Sequence, residues 1–79
     1  MRNSDDFNKL NYTAKTEAVL QGTFLADRLD DHNYIKLYNV GSFYVEVFFD
    51  DRSHLITHFR AFESTIFVLP YLNDLKIAV

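Results

Sequence analysis

The chain has 79 residues, a formal net charge of −3, 48 % hydrophobic residues with eight Phe and five Tyr, and no Cys. That length is one domain, residues 1–79, which buries only about 60–65 % of the surface its unfolded chain exposes. The missing Cys excludes a disulfide framework and a thiolate metal site, and the eight Lys and Arg form no basic run, so no nucleic-acid partner is expected.

Ser4, followed by Asp5 and Asp6, suits a helix start, because a hydroxyl caps free N–H groups and carboxylates favour the positive end of the helix dipole. Phe7, Leu10, Ala14 and Ala18 recur at three- and four-residue steps, predicting a helix over Ser4 to Gln21. Asn11, Tyr12 and Thr13 are mediocre helix formers that invite a break. Gly22 then stands where a left-handed residue ends a helix. Thr23–Leu29 reads as a strand closed by the turn Asp30-Asp31-His32-Asn33. Its inward parity stays open, since Leu25 and Leu29 compete with Phe24 and Ala26.

Tyr34–Asn39 is the second strand. Phe43–Phe49 alternates strictly, is the segment richest in aromatic and β-branched residues, and belongs at the centre of a sheet. Pairing Asn39 with Phe43 sets Leu37 opposite Val45 and Ile35 opposite Val47; a two-residue loop would instead bring Lys36 into the core. A turn at residues 50–54 leads to a fourth strand, Leu55–Phe62, with Leu55 opposite Phe49. Pro70 opens a short helix to Leu75 that packs Tyr71, Leu72 and Leu75, while Ile66–Leu69 is left unassigned. The expected fold class is α+β: an N-terminal helix, a four-stranded antiparallel β-meander and a short C-terminal helix in two layers, with both helices on the Ile35/Leu37/Val45/Val47/Phe59 face.

These registers put Lys36, Glu46 and His58 in one row of the opposite face, Tyr38, Tyr44 and Arg60 in a second, and Tyr34, Phe48 and Ile56 in a third. Half aromatic with a charged row, that face is the candidate binding surface, against the plainer reading of a solvated face whose long side chains cover the rings. A second candidate lies at the loops. Asp30, Asp31 and His32 share one end of a meander with Asp50, Asp51 and His54, and carboxylates with imidazole suit a hard or borderline divalent ion. Turn preference alone also accounts for these Asp residues. His54 and His58 stand roughly 13 Å apart on a strand, unlike a two-histidine helical zinc site. His58 beside Glu46 has general-base chemistry in principle, but no catalytic nucleophile accompanies it. With two glycines there is no phosphate-binding loop, and no cofactor is expected.

The N-terminus has no apolar signal-peptide core, and the apolar run Ile66–Pro70 falls far short of the ~20 residues that cross a bilayer, so the cytoplasm is the expected location and no membrane partner is expected.

Gly22-Thr23-Phe24-Leu25-Ala26, Leu37-Tyr38, Gly41-Ser42-Phe43-Tyr44-Val45-Glu46-Val47, Arg60-Ala61-Phe62 and Pro70-Tyr71-Leu72 together resemble a group of short bacterial proteins without an assigned function. The resemblance covers residues 17 to 77, departs at Phe48 where that group has Trp, and implies a bacterial cytoplasmic domain with no catalytic residues to carry over. The leading expectation is a non-catalytic interaction module that is a homo-oligomer or docks a protein partner through the open face or an edge of its sheet. Two alternatives are a ribonuclease toxin resembling the RelE type, which the acidic balance disfavours, and a domain binding a small apolar ligand.

Overall fold

The computed structural model describes residues 3–75, with side chains as far as Leu72. Two short helices, α1 (Ser4–Asn8) and α2 (Tyr12–Leu20), precede four strands: β1 (Thr23–Asp30), β2 (Asn33–Val40), β3 (Phe43–Asp50) and β4 (Ile56–Phe62). A 3₁₀ turn (Thr65–Val68) and α3 (Leu69–Leu75) follow. The strands lie in the order β1-β2-β3-β4, all neighbours antiparallel, so the α+β class and the helix–meander–helix order are as expected. No helix among the described residues is long and apolar enough to cross a membrane.

The expected single helix is two. Asn3, not Ser4, caps the first, its side chain accepting from the Asp6 N–H. Asn11 caps the second by accepting from the Ala14 N–H. A residue that serves as an N-cap competes with helix continuation, which is why the break falls at the mediocre formers. Gly22 is not left-handed, since the positive-φ glycine is Gly41. Gly22 is required for close approach: a Cβ there would lie 2.6 Å from the Asn39 carbonyl oxygen.

The β2–β3 register differs from the expected one by a residue. Val40 pairs with Phe43 across the two-residue loop Gly41-Ser42, so Tyr38 faces Val45, Lys36 faces Val47 and Leu37 faces Glu46. The two-residue loop turns Lys36 to the Val45/Val47 side. Lys36 sits there outside the helices, with its ammonium 5.7 Å from the Tyr34 ring centre and 5.5 Å from that of Phe49. A long side chain of this kind lays its stem on apolar surface and keeps its charge in water. The β3–β4 register slides by two. Phe49 faces Ile56, Thr57 bulges, and Phe59 and Ala61 face Val47 and Val45.

Ile35 and Leu37 therefore point away from Val45 and Val47, and each side of the sheet has its own core. On the first face Phe7 and Val19 of the N-terminal helices pack with Val40, Phe43, Val45 and Val47. On the second face Tyr71 of α3 packs with Ile35, Leu37, Phe48 and Phe62. The expectation that both terminal segments cover one side is corrected: they lie on opposite faces. In β1 a bulge at Leu25 settles the open parity by breaking it. Phe24 pairs with Tyr38 on the first face, while Ala26 pairs with Leu37 on the second. The expected packing of Leu75 lies outside the described side chains.

Candidate functional site

The eight residues proposed as one binding face divide between two. Tyr34, Lys36 and Tyr38 lie on the first face, and Tyr44, Glu46, Phe48, His58 and Arg60 on the second, because the β2 register reverses that strand alone. The predicted row Lys36–Glu46–His58 does not form. Glu46 faces Leu37 and Arg60, and His58 instead stacks on Phe48 with ring centres 4.0 Å apart.

Glu46 is the most unusual side chain on the second face, a carboxylate only 1 % exposed on a strand whose other buried residues are all Val and Phe. Burying such a charge is costly unless it is paired and hydrogen-bonded. The Tyr71 hydroxyl donates to its Oε2 at 2.7 Å, and Arg28 Nη2 approaches the same oxygen at 3.4 Å. Arg60 Nε stands 3.5 Å from Oε1 as an ion pair, yet Oε1 has no hydrogen-bond partner among the described residues, and neither has Arg28 Nε. The Arg28 guanidinium also lies over the Tyr71 ring, 5.2 Å from its centre. Burial, together with the hydrogen bond to Glu46 and its negative charge, pushes the Tyr71 phenol well above its ordinary value.

Around this cluster the second face is aromatic. Tyr44 stacks on Phe62, Phe67 meets Phe62 edge-on, and the Arg60 guanidinium lies 4.3 Å from the Phe67 ring centre. Two guanidiniums and a phenol around an enclosed acid make a cross-strand anchor. His58 Nδ1 lies beside the Thr57 hydroxyl, which donates to the Phe48 carbonyl. Sequence reasoning marked Glu46 and Arg60 but missed Arg28 and Tyr71. The one is turned to this side by the β1 bulge, and the other arrives from a helix with no periodic signal.

The loops do meet at one end, as expected: the Asp51 N–H donates to the His32 carbonyl. Two of the side chains are engaged elsewhere, Asp30 by Arg28 at 3.8 Å and Asp50 by the turn that follows it. The Asp50 carboxylate accepts from the backbone N–H groups of Ser53 and Arg52, chiefly the former, and these bonds hold it below the ordinary Asp value. Among the described residues no group of three or more His, Asp or Glu side chains is placed to hold a metal ion, so Asp30, Asp31, His32, Asp50, Asp51 and His54 do not form a ligand set. Asp31 and His54 are instead left-handed turn residues, with φ of 50° and 63°.

The first face is covered unevenly. Helix α2 runs from Phe59 on β4, which the Tyr12 ring meets edge-on, to Val40 on β2, beside Gly22. Beyond it a shallow apolar hollow is lined by Val19, Leu20, Tyr38, Phe49 and Ile56. Strand β1 borders this region as a sheet edge, with Phe24, Leu25 and Leu29 exposed, Leu29 to 77 %. The Tyr34 hydroxyl, hydrogen-bonded to Asp27, ties the edge strand to β2. Set against protein-family models, curated proteins and solved structures, the chain matches none of them.

Proposed function

We propose that the protein is a non-catalytic interaction module that self-associates through the β1 edge and the adjoining bare part of the first face. One observation carries this reading: an eight-residue edge strand presents unpaired backbone groups together with exposed Phe24, Leu25 and Leu29. An exposed edge is a template for a further strand, and proteins that leave one unused commonly blunt it with Lys, Pro or a very short strand. Strand β1 contains neither Lys nor Pro, and its charged residues are engaged within the chain, Asp27 by Tyr34, Arg28 by Glu46 and Asp30 by Arg28. Its bulge falls near the start, leaving the continuous pairing stretch from Ala26 to Asp30. The apolar hollow beside α2 extends the same surface.

The test is solution mass by light scattering and sedimentation velocity over a range of concentrations, for the wild type, Phe24→Lys and Leu29→Lys. Wild-type dimers that dissociate at higher concentration in both variants support the reading. A wild type that stays monomeric throughout, or dimers indifferent to both substitutions, would sink it.

A further inference from the structure

We infer that residues 65–72 form a displaceable strap over the second face, locked by the Tyr71–Glu46 hydrogen bond and hinged at Glu63-Ser64. The strap lies on the opposite side of the sheet from the bare part of the first face, and it meets β1 through Arg28, whose guanidinium lies over the Tyr71 ring.

Three observations support it. First, few of the described side chains hold the segment. Tyr71 is buried, Val68 is half-buried and Phe67 meets Phe62 and Arg60 at the surface, whereas Ile66, Leu69 and Leu72 are exposed. Segments that bury few apolar groups open with less free energy than the domain needs to unfold. Second, the near end of the strap is fixed. The Ser4 N–H and hydroxyl both donate to Glu63 Oε2, at 3.0 and 2.9 Å, so α1 pins the chain immediately before the hinge. Movement beyond that point leaves the first-face core untouched. Third, the closed form carries an electrostatic cost that opening relieves. With the strap in place Glu46 is shut from water while its Oε1 and Arg28 Nε lack hydrogen-bond partners. Lifting Tyr71 away returns both to solvent. The same movement bares Ile35, Leu37, Phe48 and Phe62, an apolar surface with Glu46, Arg28 and Arg60 at its centre. Closure therefore gates solvent access to that surface.

Because the chain has no Cys of its own, single thiols report opening site by site. Leu37→Cys places one beneath the strap and Val45→Cys one beneath the N-terminal helices, at positions 1 % and 0 % exposed. In the full-length chain under native conditions, labelling at position 37 is expected to be at least tenfold faster than at position 45. Tyr71→Phe is expected to accelerate position 37 by about tenfold more, the equivalent of roughly 1.4 kcal/mol, and to leave position 45 unchanged. Equal rates at the two positions, or equal acceleration by Tyr71→Phe, would show that access requires global unfolding and would overturn the gate. Backbone hydrogen exchange of the unsubstituted chain provides a readout independent of any variant's folding. Residues 65–72 exchanging well before β2 and β3 supports the inference; residues 65–72 as protected as those strands overturns it.

Discussion

The Arg28 guanidinium on the edge strand meets the Glu46 carboxylate on β3 at 3.4 Å, reaching across β2 on the second face. That contact, with Arg60 from the other side, lets one buried acid join three strands. The two arginines are not equivalent, since their side chains are 18 % and 44 % exposed. Glu46→Ala is expected to cost about 3–5 kcal/mol in urea unfolding, because it strands the largely buried Arg28 guanidinium and leaves the buried Tyr71 hydroxyl without its acceptor. Arg60→Met is expected to cost no more than about 1 kcal/mol, the range of a solvent-screened pair. Equal losses would show that exposure does not rank these partners.

Phe7 anchors the short helix α1 by packing against both Phe43 and Phe59, each with ring centres 5.9 Å apart. Phe7→Ala is expected to cost about 3–5 kcal/mol in chemical denaturation, since the cavity opens under a fully buried ring. In a domain whose total stability is on the order of 5–15 kcal/mol, that leaves a substantial unfolded fraction near the lower bound. A loss below about 1 kcal/mol would mean that α1 does not close the first core.

The two glycines are required for different reasons, and substitution separates them. An Ala Cβ at position 22 would come within 2.6 Å of the Asn39 backbone oxygen and 3.0 Å of Val40 Cγ2. Gly22→Ala is therefore expected to cost about 1–3 kcal/mol through overpacking. Gly41 has open space around it but a φ of +61°. Gly41→Ala is expected to cost about 1–2 kcal/mol, and Gly41→Asn less, because Asn visits the left-handed region more readily. Thermal unfolding of the three variants checks the order; an Asn at position 41 as damaging as Ala would contradict the conformational explanation.

Acid titration offers a further check. Backbone N–H groups of Ser53 and Arg52 stabilise the charged Asp50, and the Ser4 N–H and hydroxyl stabilise the charged Glu63, so both carboxyls lie below their ordinary values. A depressed acid contributes stability that is present above its unfolded value, near pH 4, and is lost as pH falls through the folded value. Carboxyl carbon shifts followed by NMR are expected to place both midpoints below those of unstructured controls. Glu63→Gln is expected to flatten the acid limb of the stability curve; an unaltered limb would dismiss the Ser4 contact as a contributor.

The strands, their order and the weak point at Asn11 were legible from alternation and turn chemistry, because those signals are local. The register was not. Choosing between loops of two and three residues required knowing whether one side of the sheet or both would be covered, and Lys36 argued for the wrong answer. Its ammonium reaches water past the Tyr34 and Phe49 rings, so the strand can turn it to the Val47 side without burying its charge. The bulge at Leu25 hid the face of Arg28 for a related reason: β1 is so exposed that hydropathy leaves its parity nearly unconstrained. Glu46 stood out as a lone acid in an apolar strand, but its partners lie 18 and 25 residues away, beyond the reach of any spacing rule.

The hairpins follow one another without a crossover, and the segment bearing Tyr71 lies downstream of every strand. The ribbon is therefore able to zip up hairpin by hairpin while one greasy flank waits for its cover. Chains caught in that interval are the ones most prone to stick to one another.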